Sequence, residues 1–255
     1  MPAPDTTRAR DDRPLDVIVA ALEEDIVLGQ LAPGTRLTED ELMLRFGCKR
    51  HVAREAFLRL ALIGLIERPR NIGARVREFT PTEVIELYRM RTLLEVEAAR
   101  RIPLPTDPVE LARLVGIQAE HDAAIAGDNL QAVFRTNLAF HRQLFGMCGD
   151  STLNEAIEEY ARRTHGIRFG TLVDIDARRL ARDEHHAMIA ALRAGDRDSL
   201  VALCRRHLEP SRDAYLRAAG YPPEPVDEAP GPADAAPGRG NSSASNSSPA
   251  RSSRL

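Results

Sequence analysis

At 255 residues the chain has room for one small domain and one larger one. With aromatics at 4% and no tryptophan, its cores must rest on Leu, Ile, Val and Ala. A net charge of -3 and a pI near 6.2 argue, taken globally, against a nucleic-acid binder. Three cysteines, Cys48, Cys148 and Cys204, show neither metal spacing nor a disulfide framework. No apolar run reaches the roughly 18 residues of a membrane span, and no signal peptide is visible. These features point to a cytoplasmic protein with no membrane partner.

Residues 1–13 read as a charged, disordered arm. An amphipathic helix follows from Leu15 to Leu28. Between Pro33 and Val76 two short amphipathic helices flank a tight Phe46-Gly47-Cys48 turn. A short hairpin comes next, Leu65 to Glu67 and Ala74 to Val76, bent through Arg68 to Gly73. Helix, turn, helix and wing in that order is the geometry that sets one helix in a DNA major groove. The second helix opens with Lys49, Arg50, His51 and Arg54. From Arg45 to Arg77 nine basic residues face only Glu55 and Glu67, so the local charge reverses the global one. Phosphates meet the local patch. A charge run alone is more often a solvated face; here charge, turn and wing coincide.

Thr80-Pro81-Thr82-Glu83 reads as a helix start, with Thr capping and Pro just inside. From there to Ala219 the pattern is helical, with helices expected near 81–102, 108–126, 128–148, 151–170, 176–194 and 196–219. Gly127-Asp128, Gly149-Asp150 and Gly195-Asp196 read as helix stops each followed by an N-cap. The fold class is therefore mainly α: a winged helix-turn-helix over 14–77, then an all-helical bundle over 80–219. Residues 221–255, rich in Pro, Gly, Ser, Asn and Ala, read as a disordered tail.

Four polar residues fall on stripes that face the bundle core. Asn137 and His141 share the face of Leu130, Phe134, Leu138, Leu144 and Phe145, spaced i, i+4. His185 lies among Ala181, Met188 and Leu192, and His207 among Leu200, Leu203, Cys204 and Tyr215. One buried histidine is usually met by a carbonyl; three with an inward Asn suggest a ligand set, since imidazole suits Zn, Cu, Fe and Ni. His186 is turned roughly 100° from His185 and reads as outward. His121 and His165 carry no comparable argument. Arg91 lies on the stripe of Val84, Leu87, Leu94 and Ala98, and a buried guanidinium needs an anion. That anion is either a structural carboxylate, Glu95 or Glu97, or a bound effector. Arg135 and Arg168 are weaker candidates for the effector role.

Residues 15–77 resemble the winged helix-turn-helix of the GntR family of bacterial transcription regulators. The matching pieces are Pro33-Gly34-Thr35-Arg36-Leu37, Glu41-Leu42, Phe46-Gly47, Arg50, Arg54-Glu55-Ala56, Leu60, Gly64-Leu65 and Asn71-x-Gly73-Ala74-x-Val76. The resemblance implies DNA contacts at Arg36, Arg50, Arg54 and Gly73. Lys49 stands where the family prefers Ser or Thr, and His51-Val52 replaces the common Thr-Pro. Lys cannot accept the N-cap bond, at a cost of about 1 kcal/mol. It is the only lysine among 35 basic side chains, and a phosphate contact would offset the lost cap.

Residues 83–218 resemble the FCD effector domain of the fatty-acid-regulator branch of that family. The likeness rests on Arg91-x-x-Leu94-Glu95, Asn137-Leu138-Ala139-Phe140-His141, Glu184-His185 with Gly195-Asp196, and His207-Leu208. It implies metal ligands at Asn137, His141, His185 and His207, with Asn where Asp is usual, and a small carboxylate effector beside Arg91. The expectation is a homodimeric repressor that reads a pseudo-palindromic double-stranded operator and holds one divalent transition metal, Zn, Ni or Mn. Two rivals are a metal-dependent enzyme and a pure metal sensor. The chain carries no Glu-x-x-His pair and no His-Glu-x-x-His, which disfavours the enzyme.

Overall fold

The computed structural model describes residues 14–69 and 73–222. Helix α1 spans Leu15–Val27, strand β1 Arg36–Leu37, α2 Glu39–Phe46, α3 Arg50–Ile63, β2 Ile66–Glu67 and β3 Ala74–Val76. The Thr38 side chain accepts from the Glu41 amide and Glu41 reaches back to the Thr38 amide, a reciprocal cap that starts α2. Gly47 ends it in the left-handed conformation at φ 67°. Lys49 occupies the N-cap of α3 and makes no side-chain cap bond. Ile18, Leu22, Leu42, Phe46, Ala53, Phe57 and Leu60 close the core of this part.

The wing is a three-stranded sheet rather than a hairpin alone. β1 pairs with β3, Leu37 opposite Ala74, and β2 pairs with the other edge of β3, Ile66 opposite Val76. Two residues of strand are too short to leave a periodic trace, so β1 is invisible in sequence. Residues 70–72 of the wing bend, the arm over 1–13 and the tail from 223 lie outside the described residues.

The helical array consists of α4 Pro81–Arg101, α5 Pro108–Ala126, α6 Leu130–Gly146, α7 Ser151–Arg163, a 3-10 turn at His165–Ile167, α8 Phe169–Val173, α9 Ile175–Ala194, α10 Arg197–Arg206 and α11 Glu209–Ala218. Thr80 and Glu83 repeat the reciprocal cap with Pro81 inside it. Asp150 and Asp196 cap α7 and α10 after left-handed Gly149 and Gly195. Three expectations are corrected. At Gly127-Asp128 the left-handed residue is Asp128, at φ 50°, and the cap is Asn129. The helix expected over 151–170 stops at Arg163, and α8 forms separately. The helix expected over 196–219 breaks at His207-Leu208, because Pro210 has no N–H for the ladder and its ring crowds the preceding turn.

The main core of the array gathers Phe140, Leu144, Met188, Leu192, Leu200 and Cys204. Phe140, not Leu138, is the fully buried aromatic anchor of α6; Leu138 is only partly buried. A further apolar cluster joins Val27 of α1 to Phe134 and Leu172, so the first helix of the winged part ends against the helical array. Glu24 of α1 also pairs with Arg135 of α6. No helix among the described residues is long and apolar enough to cross a membrane.

Candidate functional site

Helix α3 buries Ala53, Ala56, Phe57 and Leu60 and leaves Lys49, Arg50, His51 and Arg54 exposed. This follows from its phase: the small and apolar residues repeat every three to four positions, so the cations take the remaining face. Arg36 of β1, Arg50, Arg68 and Gly73 line one surface groove between the wing and α3. Gly73 is left-handed at φ 88°, a conformation that strains any side chain. Arg50 bonds Glu39 at 3.3 Å and Asp40 at 2.7 Å, and Arg54 bonds Glu39 at 2.8 Å. Exposed pairs of this kind contribute about 0–1 kcal/mol, so phosphates or bases can displace them.

In the helical array, His141 of α6, His185 of α9 and His207 at the α10–α11 break come together, with one ring nitrogen of each within 4.8 Å of the others. His207 Nδ1 faces Glu184 Oε2 at 2.8 Å, and His185 Nδ1 faces Gln118 Oε1 at 3.0 Å. A proton on Nδ1 toward each acceptor turns Nε2 inward, the arrangement that orients metal-ligating imidazoles. His141 Nε2 lies 3.2 Å from His207 Nε2. His185 Nε2 and His141 Nδ1 are buried without a partner. The Phe140 ring stacks on His185, centroids 3.8 Å apart, and fixes its plane.

Burial, reinforced by the neighbouring His207, holds the His141 and His185 imidazoles well below the ordinary histidine range. They are therefore neutral, the form that binds a metal. Burial alone would raise the Glu184 carboxyl, but its bonds to His207 and Arg206 more than offset that and lower it. Three converging imidazoles, two of them oriented by a carboxylate and an amide, suit a borderline divalent cation such as Zn or Ni.

Asn137 lies one turn from His141, but its amide is engaged elsewhere. With the oxygen turned toward the donors it accepts from Arg168 Nη1 and Nη2 at 3.2 Å. Asn137, Arg168, His207, Glu184 and Ser211 share a narrow cavity of about 80 Å³, walled by Val27, Phe134 and Leu172. Burial, with Arg91 close by, pushes the Arg168 guanidinium down to about 10. Among the described residues no carboxylate is within ion-pairing distance of it. Arg91 is not on the wall of this cavity. It is 3% exposed and bonds Glu95, itself 2% exposed, through Nε at 2.9 Å and Nη2 at 2.8 Å. Its Nη1 donates to Thr164 at 3.2 Å.

Several site residues carried no clear sequence signal. Glu184 adjoins His185 in the chain, yet only the packing of α9 on α10 turns it onto His207. Gln118 and His121 of α5 are buried beside the cluster, His121 bonding Thr136 at 2.8 Å. His165 is buried against Glu23 of α1. His186 faces outward to Asp122 at 3.0 Å.

The sequence profile of the bacterial regulatory proteins of the gntR family matches residues 14–76, and that of the FCD domain matches residues 86–210. The HTH-type transcriptional repressor RspR of Escherichia coli K12 is 26% identical over 192 residues, which is 75% of this chain and 84% of that protein. The Nta operon transcriptional regulator of Aminobacter aminovorans is 27% identical over 187 residues, 72% of this chain and 86% of its own. Among solved structures, E. coli McbR/YncC superposes with a TM-score of 0.70 at 20% identity, over 80% of this chain and 98% of that one, a likeness of fold.

Proposed function

The chain belongs to the GntR family of bacterial transcription regulators, DNA-binding proteins with an FCD effector-binding domain behind the helix-turn-helix, and from that premise we propose that it is a cytoplasmic, homodimeric repressor released or engaged by a small organic carboxylate. Residues 14–77 form the reading head and residues 80–219 the effector-binding and dimerising part. Arg50 and Arg54 reach base edges, Lys49 and His51 meet the backbone, and Arg36 with Gly73 brings the wing to the minor groove. Two such heads related by a two-fold axis suit a pseudo-palindromic operator. The enzyme reading is not favoured, since the families and relatives are transcriptional regulators.

One divalent transition metal, Zn, Ni or Mn, would be held by His141, His185 and His207, with Asn137, one turn from His141, as a fourth ligand only if its amide leaves Arg168. When bound it supplies a Lewis-acidic centre that attracts an anionic oxygen. The chain's own contribution is orientation and charge. Glu184 and Gln118 keep the imidazole lone pairs turned inward. Among the described residues Arg168 has no carboxylate within ion-pairing distance, and its cavity is lined also by His207 and by Glu184, whose carboxylate is taken by His207. That unmatched cation is the observation that supports a carboxylate rather than a neutral effector. A metal sensor without an organic effector has no use for Arg168, which makes it the weaker reading. Arg91 stands behind Arg168 and is matched by Glu95.

The deciding experiment is a mobility shift on the operator recovered from genomic DNA bound by the purified protein, repeated with metal and candidate acids. Each base-reading Arg contributes about 1–3 kcal/mol of discrimination, so Arg54→Ala should lose specificity for the operator over random DNA. An Arg54→Ala protein that binds the operator as tightly as the parent would sink the reading-helix assignment.

A further inference from the structure

The cavity of Arg168 and His207 draws part of its wall from outside the helical array. Every lining residue but one lies between His121 and Ser211; the exception is Val27, the last residue of α1. Val27 is fully buried and clusters with Val133, Phe134 and Leu172. The first helix of the winged part thus closes a cavity of the helical part. Neighbouring contacts hold this wall in place. Glu23 and Glu24, one turn earlier, pair with His165 and Arg135. Just past Val27, the Phe169 ring lies so close to Gly29 that a Cβ there would collide with it.

The lining divides by polarity. Apart from Arg168, its polar members already have partners: Glu184 faces His207, Arg178 bonds Asp128 at 2.7 Å, and Ser211 bonds the Tyr88 hydroxyl at 2.8 Å. A single carboxylate answers Arg168, and its carbon chain then finds apolar surface chiefly in Val27, Val133, Phe134 and Leu172. At about 80 Å³ the space takes roughly six water-sized groups, the bulk of a short-chain acid. The valine wall is stiff. A β-branched side chain has one strongly preferred rotamer in a helix, and Val27 has no exposed surface to swing into. An acid one methylene too long must shift α1 or stay out.

We propose that Val27 sets the chain length of the acid this cavity accepts, and that the accepted class is short aliphatic monocarboxylates that stop at that wall. This rests on reading the Arg168 cavity as the carboxylate site. Arg168 selects the charge and Val27 the length, so the site is incomplete without α1. One buried methylene changes affinity by about fourfold. Moving the wall by one carbon therefore moves the preferred acid by about one carbon.

The test is calorimetric titration of the full-length protein with acetate, propionate, butyrate, valerate and hexanoate. Affinity should climb along the series and then break off. Val27→Ala, which takes two carbons from the wall, should bind the first acid the parent rejects about fourfold more tightly. Val27→Ile should reject the longest acid the parent takes. Ile18→Val, equally buried in α1 but away from the cavity, should leave the order unchanged. Should Val27→Ala fail to fold, Val27→Ile, which keeps the branched shape, carries the comparison. Arg168→Gln should lose every acid, which tests the carboxylate site and not the wall. If acids bind through Arg168 but the Val27 variants keep the parent's length order, the role of Val27 falls and the carboxylate site stands. If no acid binds the parent, or Arg168→Gln binds them equally well, both fall.

Discussion

Replacing Arg91 by Ala tests whether that guanidinium is structural. Arg91 and Glu95 are 3% and 2% exposed and are joined by two bonds, at 2.9 and 2.8 Å. Removing one partner leaves a buried carboxylate without a counter-charge, and such losses run to about 3–5 kcal/mol. A domain of this size holds only about 5–15 kcal/mol in total, so Arg91→Ala should shift the urea midpoint by a large fraction of its value. Removing both charges with shape kept, Arg91→Met with Glu95→Leu, should be far milder, near neutral or stabilising. The double-mutant cycle therefore predicts strong non-additivity. The assay is urea unfolding of the full chain followed by far-UV circular dichroism, at one protein concentration throughout. If Arg91→Ala cost less than about 1 kcal/mol, the Glu95 carboxylate would be reached by water or by Arg168, and the pair would not be what holds it. Arg91 would then be free for the effector after all.

Two further outcomes follow from the histidine cluster. Asn137→Asp should raise metal affinity, because it adds a carboxylate beside His141 and neutralises Arg168; His185→Ala should lower it sharply. Elemental analysis and metal-dependent melting read both, and an unchanged melting temperature with Zn, Ni and Mn would leave these histidines as an ordinary polar core. The second outcome concerns acid. Burial pushes the His121 imidazole from its ordinary 6.5 down to about 4. Its folded value lies below its unfolded one, so stability is full above the ordinary value and falls as pH drops toward the folded one. The loss from His121 alone approaches about 3 kcal/mol, and His141 and His185 shift the same way. Urea midpoints measured with chelator between pH about 7 and about 4 should therefore decline. Midpoints that hold or rise on acidification would mean that these rings are already charged in the fold.

Much of the local architecture was legible because helix ends are written in neighbouring residues. Thr80-Pro81 with Glu83 caps through contacts three residues apart, so sequence spacing and spatial spacing coincide. The same holds for Arg91 and Glu95, four apart on one helix and one of two carboxylate partners visible in advance. The order of helix, turn, helix and wing and the outward cations of α3 needed only phase. The break at His207-Leu208 was missed although Pro210 announces it, since the apolar stripe runs through the proline without interruption.

Periodicity by itself marked polar residues of α6, α9 and α10 as inward, though on α6 it passed over Phe140 and elsewhere it gave no account of the buried His121 and His165. It could not determine which of them meet. His141, His185 and His207 converge because three helices cross at one depth, and crossing depth depends on the volumes packed between them, chiefly Phe140 and Met188. The same packing turns Glu184 onto His207 and Gln118 onto His185, leaves Arg168 without a carboxylate in ion-pairing distance among the described residues, and sets His165 against Glu23. The β1 pairing belongs with these. Sequence carries the identity and phase of each group; distances between groups on different elements arise only when the cores close, because burial is non-directional and contact geometry is not.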